Sequence, residues 1–262
     1  MKVIDCFTFF NDFDLLEIRL NSLVPYVDQF VLVESPVNQR GKPKPLFFND
    51  NKERFKQFNI KHVVTDNFVG KSLGETEWHQ YEYMIKGVSD NKDNDIILLS
   101  AMDEIPNLEI YEIGKEGFFS CQMYYYYLNY RVKETNTWLG TFSIKRKNLT
   151  NFQWIRERGH RHFPKFAPTD SSYQCGWHFS VIGSVEQMMN KYDAHGHLET
   201  DDPAVRQRVK ENRENLHDPW YGVWSNHRRN RPMWIEMPKG PKWLLENKEK
   251  YEHLFLKGES NE

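Results

Sequence analysis

NDIILLSAMDEIPNLEI, residues 94–110, is an apolar run that ends on acids. Ile96 to Leu99 form a continuous apolar segment, as in a strand buried on both faces, and Pro106 closes the stretch. Ser100, Ala101 and Met102 lead from it into Asp103 and Glu104. In open α/β sheets ligands bind at the carboxyl ends of the strands, so two carboxylates delivered there point to a charged ligand. The competing interpretation is local: Asp103 and Glu104 cap and solvate a turn ahead of Pro106.

Upstream of this stretch the pattern is that of a parallel sheet. Val3 to Phe10 reads as a first strand, and NDFDLLEIRLNSLVPYV as an amphipathic helix with Asn11 or Asp12 as its cap. DQFVLVES gives a second buried strand, Phe30 to Val33, ending on Glu34. Strand, helix and strand within about forty residues make a βαβ unit. The Pro- and Lys-rich loop SPVNQRGKPKPLFFND follows, then a short helix at NKERFKQF, a strand at IKHVVTD and a longer helix at ETEWHQYEYMIKGV. Downstream, GFFSCQMYYYYLNYRV, WLGTFSIKRKNL and GWHFSVIG read as strands of more antiparallel character. SVEQMMNKYDA, DPAVRQRVKENREN and PKWLLENKEKYEHLFL read as helices, and the tail KGESNE as frayed. The expectation is one α/β domain over 1–262, with a nucleotide-binding half at 1–106 and an acceptor-side half with C-terminal helices at 107–262.

Composition narrows the classes further. A net charge of −2 over 262 residues supplies no global basic field, so a stable nucleic-acid partner is not expected. The three cysteines, Cys6, Cys121 and Cys175, are far apart and form no CxxC pair, which fits reduced, cytoplasmic surroundings better than a disulfide scaffold. MKVIDCFTFF is too short an apolar run for a signal sequence or a membrane span, so a soluble chain is expected. There is no internal repeat.

No GxGxxG follows the first strand and no GxxxxGK[ST] is present, so the dinucleotide and P-loop phosphate cradles are missing. A divalent cation held by strand-end carboxylates is another way to grip a diphosphate. Around those acids the chain resembles glycosyltransferase family 17. The resemblance rests on DCFTFFNDFDLLEIRLNSL, FVLVES, GKPKPLFF, DIILLSAMDEIPN, CQMYYYYLNYR, GWHFS and PKWLLENKEKYEHLF, seven stretches in register over nearly the whole chain. It implies a GT-A-type nucleotide-sugar fold with a mixed, mostly parallel central sheet flanked by helices. It further implies a UDP-sugar donor carrying GlcNAc or a similar hexose, Mn²⁺ or Mg²⁺, a glycan or other hydroxyl acceptor, and inversion at the anomeric carbon.

Two positions depart from the family pattern S-D-x-D-E-I-P and from its Gln-Arg pair. Ala101 stands where the first aspartate is expected, and Tyr81 follows Gln80 in place of arginine. A methyl cannot coordinate a cation, so an inactivated variant, a metal-weak homologue and a catalytically inert UDP-sugar- or glycan-binding relative all stay open. Asp103 and His178 of GWHFS are the expected metal ligands. Phe7 and Thr8 by position, Glu34 at a strand end, Lys42 and Lys44 in the proline-stiffened loop, and Gln80, Ala101 and Met102 are the expected donor-binding residues. Inversion needs a general base, for which Glu186 in the first turn of the SVEQMM helix leads, followed by Asp170 and Glu157. His195 with His197, the RGHRHFP cluster at 158–164 and the tyrosines of MYYYYLNYR at 123–131 are secondary candidates, against the simpler view that they are solvated loops or core. A metal-dependent phosphohydrolase is a distant third class, because it calls for more clustered Asp and His near the first strand.

Overall fold

The structure, a computed structural model, describes residues 1–133, 138–166, 175–195, 198–223, 230–235 and 240–258. Its N-terminal half is a parallel sheet of β1 (Val3–Phe9), β2 (Gln29–Glu34), β3 (Ile60–Val64) and β4 (Ile96–Ala101). Helices α1 (Phe13–Leu23), α2 (Phe47–Asn51) and α3 (Leu73–Gly87) connect these strands. Side chains alternate across the sheet: Phe7, Ile96 and Leu98 pack beneath α1, while Cys6, Ile97 and Leu99 meet Met84 of α3 on the other face. Burial on both faces is why β4 reads as an unbroken apolar run.

The remaining strands complete one mixed sheet in the order β11 (Met233–Ile235), β7 (Tyr130–Val132), β6 (Gly117–Tyr125), β8 (Trp138–Lys145), β4, β1, β2, β3. After β5 (Glu104–Pro106) come β6, β7 and β8, the last of which runs antiparallel to both β4 and β6. Helix α4 (Phe152–Arg158) covers the β8 side, and the short β9 (Lys165–Phe166) and the longer β10 (Gly176–Ser180) both run parallel to β6. Helices α5 (Val185–Ala194) and α6 (Pro203–Glu214), strand β11 (Met233–Ile235) and helix α7 (Lys242–Glu246) finish the chain. The sheet is thus parallel in its first half and largely antiparallel in its second.

Several elements differ from the sequence reading. The tyrosine-rich segment is not one strand: Tyr126, at φ +65°, turns the chain back, and β6 and β7 pair as a hairpin. The final apolar segment is α7 followed by a separate 3-10 stretch, Lys248–Leu254, rather than one helix. The short second helix begins at Phe47, ahead of NKERFKQF, and α4, β5, β9 and β11 were not anticipated. All three cysteines are free and buried. Among the described residues no helix is long and apolar enough to cross a membrane.

One buried cation holds the acidic loop in place. Arg19 of α1 is fully buried and grips Asp5 of β1 with two bonds, at 2.6 and 2.8 Å. It also donates to the Ser100 hydroxyl at 2.6 Å and to the carbonyls of Ala101, Met102 and Glu104 at 2.8–3.1 Å. A guanidinium's planar fork of five donors suits this role, which an ammonium could not fill. Breaking a buried pair leaves an uncompensated charge, so Arg19→Met should lower unfolding stability by about 3–5 kcal/mol. Urea denaturation followed by tryptophan fluorescence checks this, and a loss below about 1 kcal/mol would show that other contacts fix the loop.

Candidate functional site

The carboxyl ends of β1, β4, β6 and β10 open into one cavity of about 770 Å³. That volume falls within the range of small-molecule sites. Thr8 and Phe10 come from the end of β1, Ala101 to Glu104 from the end of β4, Met123 and Tyr125 from β6, and His178 and Ser180 from β10. The placement follows the rule for α/β sheets. Gly176 starts β10 because the strand lies hard against β5: a Cβ there would stand 2.7 Å from the Ile105 carbonyl oxygen. Past β10, Val181 sits at φ +49°, a costly conformation for a β-branched residue, and the chain turns sharply into α5. Ser184 and Gln187 then close a capping box, which starts α5 so that Lys191 reaches the cavity two turns later.

Lys191 sits between two acids. Its Nζ is 2.8 Å from Asp103 Oδ2 and 3.6 Å from Asp12 Oδ2, while His178 Nε2 lies 3.6 Å from Asp103 Oδ1. Asp12 is the N-cap residue of α1, yet its side chain makes no capping bond. Burial would raise the Asp103 carboxyl, but Lys191 foremost and then His178 outweigh it and bring the group down to about 2. Burial also opposes the Lys191 ammonium, and Asp103 and Asp12 hold it above the ordinary lysine value. For Asp12 burial prevails over Lys191, so its carboxyl is pushed up. Burial likewise pushes the His178 imidazole down despite both nearby carboxylates, which favours its neutral form. Trp138 lies against that ring at 4.7 Å between centroids, and His178 Nδ1 has no hydrogen-bond partner among the described residues.

Glu104 has a different task. It is fully buried, takes both ends of the Arg156 guanidinium at 2.6 and 2.9 Å, and accepts from Trp138 Nε1 at 2.6 Å and from the Ala101 N–H at 2.9 Å. Such a bidentate charged pair consumes the carboxylate's acceptor sites and makes it a girder of the cavity wall.

A strap closes the far side. The segment after β2 folds back on itself through a bridge between Val37 and Pro43. Arg40 reaches the carboxyl end of α5, donating to the carbonyls of Tyr192 and His195 at 2.9 Å and pairing with Asp201. A cation at a helix carboxyl end satisfies carbonyls that have no partner within the helix.

The sequence profile of glycosyltransferase family 17 matches residues 1–261. The chain belongs to glycosyltransferase family 17. It is 24% identical over 168 residues to a β-1,4-mannosyl-glycoprotein 4-β-N-acetylglucosaminyltransferase of Rattus norvegicus, and equally so to the one of Homo sapiens. Each match covers 58% of this chain but only 27% and 28%, respectively, of those relatives, so the chain spans a small part of their length. Among solved structures, an inositol-1-phosphate CTP transferase from T. maritima aligns with a TM-score of 0.33 at 13% identity, covering 62% of this chain and 76% of that one.

Within this family-17 chain the cavity gathers Thr8, Lys44, Gln80, Ala101, Met102, Asp103 and His178 from the residues expected at the site. Lys44 lies over the rings of Phe10 and Phe47 at 5.6 and 5.3 Å, and burial lowers its pKa although Glu34 opposes the shift. Gln80 donates to the Val37 carbonyl at 3.4 Å. Other expectations need correction. Phe7 is buried in the core beneath the Arg19 guanidinium, at 4.5 Å, because the strand's alternation turns it away from the cavity. Glu34 is fully buried and accepts the backbone N–H groups of Phe48 and Asn49 and a contact from His62, capping α2 instead of meeting a ribose. Lys42 and Glu186 are both exposed and neither lines the cavity. Asp170 and His197 lie outside the described residues, while Glu157 pairs with Gln153 on the outer face of α4. His195 lines the cavity.

Asp12, Arg156 and Lys191 were missed. In the sequence Asp12 reads only as a helix cap and Lys191 only as part of a helix, while α4, which carries Arg156, is not signalled; each becomes part of the site only through partners more than 50 residues away. The cavity is lined by four acids (Asp12, Glu77, Asp103, Glu104), by four lysine and arginine side chains (Lys44, Arg156, Lys191, Arg231) and by His178 and His195.

The residues present do not fit a divalent cation. Ala101, two residues before Asp103, offers only a methyl, and Asp103 is already engaged by Lys191. Among the described residues no three His, Cys, Asp or Glu side chains are grouped to hold a metal ion. A divalent ion on Asp103 within about 4 Å of the ammonium would be repelled by on the order of 8 kcal/mol at an effective dielectric of about 20, so Lys191 would have to leave.

The Asp103 carboxyl predicts an acid limit. Its folded pKa is depressed, so its contribution is complete above the unfolded value and fades as pH falls toward about 2. The ordinary value of 3.8 and the folded value of about 2 correspond to about 2 kcal/mol. Asp103→Asn should therefore flatten the fall in stability between about pH 4 and pH 2, read from denaturation midpoints across that window, and an unchanged slope would reject the assignment.

Proposed function

We propose that this chain is an inverting glycosyltransferase of GT-A type that moves a sugar, GlcNAc in the first instance, from a UDP-linked donor to a hydroxyl of a glycan. The observation that carries the reading is the cavity at the strand carboxyl ends, centred on Asp103 and Lys191, in a chain matched by family 17 along 1–261. Its volume accommodates a nucleotide sugar, and its charged floor supplies groups of both signs for a diphosphate and for sugar hydroxyls. GlcNAc as the donor sugar follows from what the rat and human relatives are named for. In the transfer the acceptor oxygen forms the new bond to the anomeric carbon as the bond to the diphosphate breaks. The acceptor proton passes to a base, and UDP leaves.

Trp138, Tyr125, Tyr192 and Trp220 supply flat apolar faces to the cavity, the surfaces on which sugar rings settle. Ala101 keeps a second reading in play, in which donor is bound and not turned over.

Incubation of the chain with UDP-GlcNAc and a panel of glycan acceptors, followed by UDP release and by the mass of the acceptor, tests the proposal. Acceptor-dependent UDP release is expected, and Asp103→Asn should reduce it by roughly 100-fold or more while Glu186→Gln leaves it within about twofold. Donor binding without release on any acceptor would favour the second reading. Failure to bind any UDP-sugar would overturn both.

A further inference from the structure

Resting on the proposed use of a UDP-sugar, we infer that the cation meeting the donor's diphosphate is the side chain of Lys191 and that donor binding needs no divalent metal. The geometry is that of an occupied seat. The ammonium lies between Asp103 and Asp12, 2.8 and 3.6 Å from their oxygens, at the carboxyl end of β4, where strand-end acids would otherwise hold an ion. Ala101, which also lines the cavity, carries no side-chain atom that could ligate an ion beside Asp103.

An ammonium has three donors: one is hydrogen-bonded to Asp103 at 2.8 Å, while Asp12, at 3.6 Å, forms an ion pair beyond hydrogen-bond distance. No further partner of Lys191 occurs among the described residues, and the side chain, 26% exposed, lines the cavity. At least one further N–H is therefore available to a phosphate oxygen. Asp103 and Asp12 hold the ammonium in position before any ligand arrives, which removes the ordering cost that a free lysine would carry.

The other bases of the cavity are less available. Arg156 is committed to Glu104 through both of its terminal nitrogens, and Arg231 to Asp218 and the Tyr125 hydroxyl. Lys44 is drawn toward Glu34, 3.9 Å away, and donates to the Pro45 carbonyl. His178 stands beside Asp103 and offers a second, neutral contact. Among these groups Lys191 combines full charge, fixed position and a spare donor.

The test is calorimetric titration of the full chain with UDP and, separately, with uridine, each in EDTA and in Mn²⁺. UDP affinity should agree within roughly threefold between the two buffers. Lys191→Met should weaken UDP binding at least roughly tenfold in both, leave uridine binding unchanged because uridine carries no phosphate, and be partly restored by Lys191→Arg. UDP binding by the unsubstituted chain that appears only with Mn²⁺ would overturn the inference and leave the proposed transferase standing. So would equal UDP binding by Lys191→Met and the unsubstituted chain. No UDP binding in either buffer would remove the transferase reading together with this inference. The EDTA and Mn²⁺ comparison on the unsubstituted chain decides the matter even where Lys191→Met fails to fold.

Discussion

The fold depends on satisfying one cation that has no access to water. Arg19 sits beneath the sheet with all its donors turned toward Asp5, Ser100 and the backbone of residues 101–104. A buried guanidinium left partly unpaired would be prohibitively costly, so the chain after β4 has to present its carbonyls to it. With those carbonyls drawn inward, the Asp103 and Glu104 side chains leave the turn toward the cavity and its wall. The acids at the end of β4 are thus aimed by a residue 84 and 85 positions earlier that touches neither carboxylate.

Once aimed, the carboxylates are told apart by their partners. Glu104 is saturated by Arg156, Trp138 and the Ala101 N–H and serves the wall. Asp103 faces a single ammonium and a neutral imidazole and stays in the cavity. Glu34 ends β2 just as Asp103 follows β4, but it is spent on two backbone N–H groups of α2. Position at a strand end gives a carboxylate the opportunity to meet a ligand, and the local count of donors determines whether it does.

The sequence made the parallel half legible because its strands are buried on both faces and its connections are short helices with clear apolar stripes. The 94–110 stretch led to the cavity for the same reason. Less could be read where a single residue changes the outcome: Tyr126 folds one aromatic run into two strands, and nothing in the run itself marks that position. Phe7 and Thr8 are adjacent, yet one is core and the other cavity wall, a distinction set by register against β2 and β4. Lys191 lies in a polar helix where lysine is ordinary, and its meaning comes from Asp103, 88 residues away. Arg19 carried a usable signal, a charged residue among Leu15, Leu16 and Leu23 on the apolar face of α1.

The strap that Arg40 fastens to α5 joins positions 155 residues apart. During synthesis the β1 and β4 ends of the cavity emerge well before α5 does, so a growing chain owns a floor and no roof. A ligand can therefore recruit neither Lys191 nor the strap until α5 has been made, so whatever help it gives to folding comes after β1 and β4 have been synthesised.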